Sequence, residues 1–310
     1  MKVLFVCSGN NRYGISPIVR SQGDSLVKQG LEVDYYPITG KGLAGYLKNI
    51  LPLRKHLQSN RYDIVHSHYS LSSFVASLAG ARNQVVSLMG SDIRLGFTAR
   101  LLVRFFNRFR WKACLVKSED MRRVSGLKKA PVIPNGVDLE TFKPMDQNTA
   151  CQKAGLDPAV THAGFVADPS REEKNFSLAR EALDRLGAGN VNLQVIRGMD
   201  HDRIPLFLNA CSIVILTSRY EGSPNVIKEA MACNRPIVST DVGDVKWVTG
   251  DTEGCYLTGF DAKETAQKIT RALEFAREKG RTTGRDRIVG LGLDSDSIAK
   301  RVIQIYQGIL

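Results

Sequence analysis

Two glutamates with seven residues between them, Glu221 and Glu229, are the side chains best placed to hold a polar ligand. The first follows an apolar run, 212–218, with the length and branching typical of a strand buried on both faces. The second lies slightly more than two turns further on, in a helix-patterned segment. Carboxylates at that distance suit hydrogen bonds to sugar hydroxyls better than they suit one metal ion, so we predict no metal site. An isolated pair of this kind is more often a surface residue and a charge that complements a helix dipole.

The loop between this strand and this helix has the features of an anion site. Within the loop, 219–224, the candidate ligand residues are Gly222, Ser223 and Pro224, and Asn225 begins the helix-patterned segment. They follow the carboxyl end of a strand, which is the ligand side of an open α/β sheet. Amide groups and the positive dipole end at a helix start attract an anion such as a diphosphate. Gly222 lets that ligand approach the backbone closely because it has no side chain.

The residues around the glutamates match a known pattern. Glu221 followed by Gly-Ser-Pro (222–224), and Glu229 followed by Ala-Met-Ala (230–232), resemble the C-terminal signature of family-4 glycosyltransferases, and segment 235–243 extends the likeness. The resemblance implies an α/β protein of the GT-B fold, with two Rossmann-like domains facing across a cleft. It also implies transfer of a sugar from a nucleotide donor, a UDP- or GDP-sugar, with retention of configuration and without metal or other cofactor. Glu221 would hold the donor sugar and Glu229 the ribose.

The length of the chain and its alternation of strand-like and helical segments agree with two domains. The chain has 310 residues, 43% of them hydrophobic, which is enough for two cores. Strand-like runs alternate with helical patterns, as in doubly wound parallel sheets. We predict an N-terminal acceptor-side domain over 1–150 and a nucleotide-sugar-binding domain over 151–293. By resemblance, a final helix in 294–310 crosses back onto the first domain.

Further donor contacts follow from the resemblance. Lys174 fits the family's diphosphate-binding lysine, and Arg171 is the candidate for its companion arginine, although it stands closer in sequence than usual. Arg197 and Gly198 stand where the family's nucleotide base is held, and Gly14 would face the donor diphosphate.

The segment Asp200-His201-Asp202 could be mistaken for a metal-binding acid pair. We interpret Asp202 instead as the N-cap of a helix over 204–210, because aspartate is a preferred residue at that position.

A strand with two histidines, His66 and His68, also resembles the family, as does the loop Gly90-Ser91-Asp92. Many members carry a histidine near the reacting sugar at the position before this loop, where the chain has Met89. A thioether cannot hydrogen-bond a sugar as an imidazole does. Either His66 or His68 takes that catalytic place, or the role is dispensable. Histidines at strand ends are more often structural.

The first loop suggests a rival function. Residues 7–17 are similar to the phosphate loop of low-molecular-weight tyrosine phosphatases, with Cys7 as the nucleophile. Tyr13 occupies the position of the required arginine, and Arg12 comes one residue early. The bidentate phosphate contact would then be lost, which disfavours this interpretation.

Positive charge is concentrated in one segment. The formal net charge is +12, and residues 94–129 hold eleven basic side chains against two acidic ones. Within it, 97–111 has apolar residues at helical spacing beside Arg100, Arg104 and Arg108. This segment is either a peripheral contact with an anionic membrane, suited to a lipid-linked acceptor, or a core helix with a solvated basic side. No nucleic-acid-binding motif accompanies the charge.

Six scattered cysteines lack metal-ligand spacing and indicate reduced core thiols. We see no signal peptide and no membrane span, and expect a cytoplasmic protein with peripheral contact at the inner membrane face. The expected acceptor is a saccharide or a lipid-linked saccharide. A nucleotide-sugar epimerase, or a nucleotide-sugar-binding protein without transferase activity, are the alternatives of the same fold.

Overall fold

The computed structural model describes residues 1–11, 14–90, 96–187 and 191–310. They form two compact units, one of 1–136 with 295–310 and one of 137–294. The first boundary lies before the predicted position 150 because segment 137–150 packs on the second unit. There the Arg285 guanidinium donates to the carbonyls of Leu139 and Phe142, and the Asn209 side chain donates to the carbonyl of Lys143.

Unit 1 has a parallel sheet in the order β2-β1-β3-β4-β5. Its strands are β1 (Lys2–Ser8), β2 (Glu32–Ile38), β3 (Ile64–His68), β4 (Gln84–Ser87) and β5 (Ala113–Leu115). Its helices are α1 (Pro17–Lys28), α2 (Gly42–Leu47), α3 (Ile50–Ser59), α4 (Ser70–Leu78), α5 (Phe97–Phe109), α6 (Glu119–Ser125) and α14 (Ser295–Gln307). Residues 3–6 of β1 are wholly buried, as expected for a central strand with helices on both faces.

The helices of unit 1 lie in two layers. Helices α1 and α14 contact each other, while α4 contacts β1 and β3 and also α2, α3 and α5. The C-terminal helix α14 is therefore part of the first unit, although residues 137–294 separate it from the rest of that unit in the chain.

Unit 2 has a second parallel sheet, in the order β10-β9-β8-β6-β7. Its strands are β6 (His162–Phe165), β7 (Asn192–Val195), β8 (Ile213–Leu216), β9 (Ile237–Thr240) and β10 (Cys255–Thr258). Its helices are α7 (Gln147–Ala154), α8 (Phe176–Asp184), α9 (Ile204–Ala210), α10 (Asn225–Ala232), α11 (Val245–Thr249), α12 (Ala262–Glu278) and α13 (Gly284–Gly290).

The core of unit 2 lies between the sheet and helices α8 and α12, where apolar residues of β6, β8 and β9 are buried. The unit β8, loop, α10 confirms the predicted strand, loop and helix around the two glutamates, and β9 follows it. All the pairings of this sheet are parallel. The loops after β6, β7, β8 and β9 therefore leave the sheet at one edge. Among the described residues, no helix is long and apolar enough to cross a bilayer.

Candidate functional site

Four loops at the carboxyl edge of the second sheet bring the predicted residues of unit 2 together. Lys174 follows β6, and Arg197, Gly198 and His201 follow β7. Glu221 and residues 222–224 follow β8, and Gly243 follows β9.

Lys174 and Glu221 form an ion pair with 2.6 Å between Nζ and Oε1. The Ser218 hydroxyl donates to the same carboxylate oxygen at 2.7 Å. Both charged side chains are largely buried, at 15% and 16% exposure, so the charge-assisted contact is stronger than it would be at a surface. The Thr217 hydroxyl donates to the carbonyls of Lys174 and Asn175, which fixes the loop after β6 to the end of β8.

Glu229, about one turn into α10, contacts a residue that sequence analysis did not select. Its Oε1 lies 3.1 Å from Nε2 of His201, and its side chain is only 9% exposed. The hydrogen bond to Glu229 is the main cause that raises the pKa of His201. Asp202 does not cap a helix as predicted, because it lies within a 3₁₀ turn, His201–Arg203, and α9 starts after Arg203. His201 lies in that turn and contacts Glu229. Its place after a strand, on the ligand side of the sheet, is the sequence feature that could have identified it.

The loop after β8 is packed closely against the loop after β9. Gly243 has φ +63°, and a Cβ there would lie 2.7 Å from the Gly222 carbonyl oxygen. Pro224 precedes α10 and provides no side-chain cap. The first turn of α10 thus starts without a side-chain acceptor from its N-cap residue, as an anion site at a helix start requires.

Lys228 and Asp244 are buried at the base of this loop, and sequence analysis missed both. Lys228 Nζ donates to Ser223 Oγ at 2.9 Å. Burial lowers the pKa of Lys228, and the opposite charge of Asp244 opposes that shift. Burial likewise raises the pKa of Asp244, against the opposite charge of Lys228. A lysine within an otherwise apolar helix pattern was the only sequence signal.

Arg171 and Arg197 lie at the edge but take acidic partners of their own. Arg171 pairs with Glu173, and Arg197 pairs with Asp168 at 3.1 Å between an Nη1 and an Oδ1 atom. Both arginines are more than half exposed, and such pairs are weak enough for a ligand to replace.

In unit 1, Gly14 lies in the turn after β1, with φ +70° and a bridge to Asn11. The conformation favours glycine because side chains are strained at positive φ. Arg12, Tyr13, Ser91, Asp92 and Arg94 lie outside the described residues.

His66 and His68 lie in the core, which corrects their predicted catalytic place. His66 is wholly buried, and its ring nitrogens contact the Tyr306 hydroxyl at 2.5 Å and the Ser87 hydroxyl at 2.9 Å. His68 is 2% exposed and contacts Gln22. Burial lowers the pKa of His66 well below its usual value and that of His68 to about 3. Both are therefore neutral structural residues.

Cys7 does not have the environment of a nucleophile. It is 1% exposed, and burial raises the pKa of its thiol to about 11. A phosphatase cysteine must be a thiolate near neutral pH, so the structure also disfavours that interpretation. Across the described ranges, no group of three or more metal-ligating side chains could hold an ion.

A second candidate surface lies on α5 of unit 1. Phe106 packs with Val103 against the core of unit 1, but five other large apolar side chains are exposed, namely Phe97, Leu101, Leu102, Phe105 and Phe109. The one residue of α5 that is buried is Val103, so the alternative of a core helix with a solvated basic side is wrong. Arg104 instead donates to the Ser125 carbonyl, while Arg108 is exposed beside the Phe109 ring.

Two family models match separate parts of the chain. The model described as "Glycosyl transferases group 1" matches residues 177–274, and that described as "Glycosyltransferase Family 4" matches residues 14–141. Together with the two Rossmann-like sheets, these matches support a protein of the glycosyltransferase class. More particularly, they support a GT-B glycosyltransferase of the family-4 type.

One relative with a similar sequence is also described as a glycosyltransferase. The putative teichuronic acid biosynthesis glycosyltransferase TuaC of Bacillus subtilis (strain 168) is 25% identical over 238 residues. That alignment covers 67% of this chain and 61% of TuaC, so the chain spans less than two thirds of that relative.

Solved structures show the same fold. Sucrose-phosphate synthase from Thermosynechococcus elongatus has a TM-score of 0.82 at 17% identity, over 99% of this chain and 98% of that one. Anabaena HepE in complex with UDP and glucose has a TM-score of 0.75 at 18% identity, over 99% and 100%. The predicted fold class, two Rossmann-like domains with parallel sheets, is thus confirmed.

Proposed function

We propose that this protein transfers a sugar from a nucleotide-diphosphate donor to an acceptor hydroxyl, with retention of configuration and without a metal. The observation that carries the proposal is the convergence of Lys174, Glu221 and Glu229 at one sheet edge, beside the start of α10. HepE is described in complex with UDP and glucose, which favours a UDP-sugar here, with a GDP-sugar as the second candidate.

Different residues of the site bind different parts of the donor. Lys174 has three N–H donors and uses one for Glu221, so others can bind the diphosphate together with the amides at the start of α10. Glu221 holds the sugar, and Glu229 holds the ribose with His201 behind it. Arg197 and Gly198 hold the base, and Arg171 makes a further phosphate contact. This assigns donor binding to unit 2 and the acceptor to unit 1.

The reaction exchanges one bond for another at the anomeric carbon. Its bond to the donor phosphate breaks as a bond to the acceptor oxygen forms on the same face, and the acceptor proton passes to the leaving phosphate. Lys174 and the loop amides stabilise the negative charge on that phosphate. His66 and His68 take no part in this step, because both are buried.

We further propose that the protein binds an anionic membrane at the cytoplasmic side through segment 94–129, with a saccharide or lipid-linked saccharide as acceptor. The outward apolar side chains of α5 and the exposed basic residues beside them suit an interfacial helix. Leu43, Leu47 and Leu51 of α2 and α3 are also exposed. Because α2, α3 and α5 all contact α4, they belong to one layer and add to the apolar surface.

Calorimetry with UDP, GDP and their sugar conjugates, with and without magnesium, tests the donor proposal. We expect one nucleotide to bind tightly without metal, followed by transfer to an acceptor with the donor's anomeric configuration in the product. Binding without turnover would instead indicate the non-catalytic binding protein, and an isomerised sugar the epimerase. Absence of binding to any of them would overturn the proposal.

A further inference from the structure

A buried pair of opposite charges lies beneath the loop after β8, outside the groups assigned to the donor. Lys228 is 1% exposed and Asp244 is 8% exposed. Lysine and aspartate are rarely buried this completely unless they are paired. The pair is also expected to add little to the stability of the fold, because the cost of removing both charges from water offsets their attraction.

The pair is attached to the loop from two elements. Lys228 belongs to α10 and holds the Ser223 hydroxyl at 2.9 Å. Asp244 belongs to the loop after β9, is 8% exposed, and carries the charge opposite to that of Lys228. The residue before Asp244 is Gly243, whose backbone packs against the Gly222 carbonyl. The helix therefore holds Ser223 through Lys228, and the neighbouring loop packs against the residue before it.

The position of Ser223 gives this arrangement a functional consequence. It lies between Glu221, which contacts Lys174, and the first turn of α10. Amides that stabilise a diphosphate are most effective when they already point to the charge and need no reorganisation. A side chain fixed in the middle of the loop restricts the backbone on either side of it.

We propose that Lys228 and Asp244 are positioning residues that fix Ser223, and with it the amides of residues 222–225, in the conformation that binds the donor diphosphate. The inference rests on the proposed donor site and adds two residues to it that touch no substrate. It predicts that the charges of the pair are needed for the order of the loop beyond any contribution to the stability of unit 2.

The decisive comparison is between single and double neutral variants of the full chain. Lys228→Met and Asp244→Asn each leave one buried charge without its partner, which lowers the unfolding temperature. The double variant K228M/D244N removes both charges, so we expect its unfolding temperature to return close to the wild-type value. If the pair only stabilised the fold, the double variant would also show wild-type amide exchange in the loop and wild-type donor affinity.

Two readouts separate these roles. Without ligand, we expect amide hydrogen exchange in peptide 219–227 of the double variant to rise about tenfold, with α12 unchanged as the control. We expect its Kd for the UDP- or GDP-sugar to rise about tenfold or more. Wild-type exchange and affinity in the double variant would overturn the proposal.

Ser223→Ala provides an independent variant should the double variant fail to fold. It leaves the charge pair in place and removes the hydroxyl that the pair holds, so faster exchange in the same peptide is expected. Unchanged exchange in S223A would contradict the role of Ser223. If the wild-type protein binds no nucleotide, the donor proposal fails, but the exchange data still decide whether the pair orders the loop.

Discussion

Glu221 and Glu229 are chemically identical, yet the fold gives each carboxylate a different neighbour. Glu221 lies against the ammonium of Lys174 and the hydroxyl of Ser218. Glu229 lies against the imidazole of His201. One carboxylate is therefore fixed beside a permanent cation and the other beside a group that titrates near neutral pH. The predictions for these residues differ accordingly.

Replacing Lys174 with alanine should lower kcat by roughly 10²- to 10³-fold, because the charge that develops on the leaving phosphate loses a preorganised cation. Steady-state kinetics with the identified donor would measure the effect. Lys279→Ala is the matched control, since Lys279 pairs with Glu253 on an exposed surface. A near-normal rate in folded K174A would place the diphosphate contact elsewhere.

Replacing Glu229 with alanine should weaken nucleotide affinity roughly ten- to a hundredfold, the usual effect of losing hydrogen bonds to a charged group. Glu229→Gln retains one acceptor oxygen and should lose less. Calorimetric titration with the nucleotide measures both, and Glu253→Ala is the exposed control. Unchanged affinity in folded E229A would refute the ribose contact.

His201 should make stability depend on pH. Its pKa is raised in the folded state, chiefly by the hydrogen bond to Glu229. The stabilising contribution is therefore fully present below the unfolded pKa of about 6.5 and is lost as pH rises through the folded value. NMR titration of the imidazole should show the raised pKa, and E229A should return it toward 6.5. An unchanged His201 titration in E229A would contradict the pairing.

At the scale of elements, the C-terminal helix is held to its unit by a specific buried contact. Tyr306 of α14 is wholly buried, and its hydroxyl contacts His66 of β3 at 2.5 Å. The histidine strand thus has a structural use, because it anchors a helix that is remote in sequence. This arrangement explains why His66 has no ring nitrogen available for a ligand: the second one contacts Ser87.

Tyr306→Phe should destabilise the protein by about 1–3 kcal/mol, because it leaves a buried imidazole nitrogen without its partner. The unfolding temperature of unit 1 should fall by several degrees, as calorimetry would show. Tyr256→Phe is a suitable control, since Tyr256 is only partly buried and belongs to β10 of the other unit. Equal unfolding temperatures for Y306F and wild type would refute the anchoring role.

At the scale of the whole molecule, charge and exposed apolar surface coincide on one unit. The chain carries a net charge of +12, and the basic segment that supplies much of it includes the outward-facing α5. Each lysine or arginine near an anionic bilayer contributes about 1 kcal/mol. Apolar side chains that enter the interface add to that attraction.

The protein should therefore co-sediment with phosphatidylglycerol vesicles in low salt and less with phosphatidylcholine vesicles. Serine at Phe97, Phe105 and Phe109 should reduce binding at least tenfold, because these side chains supply the apolar contact. The double variant W247S/F260S removes comparably exposed side chains from unit 2 and should bind like wild type. Equal binding of the triple variant would show that α5 is not the contact.

The sequence determined the local units of this fold, since periodicity and breakers act over short distances. The apolar run before Glu221 and the helix start after Pro224 agree with the observed β8 and α10. The resemblance carried by these residues also led to the correct fold class. Local pattern failed at Asp202, because a 3₁₀ turn and not a helix follows Asp200.

Only the tertiary structure decided which distant side chains meet. Lys174 and Glu221 are 47 positions apart, and His201 and Glu229 are 28 apart; parallel pairing of β6, β7 and β8 brings their loops to one edge. The sequence also did not show which of these side chains are buried. In the structure, His66 and His68 lie in the core, large apolar residues of α5 are exposed, and Lys228 and Asp244 are buried. These outcomes depend on which surfaces neighbouring elements cover, and a single sequence records that only indirectly.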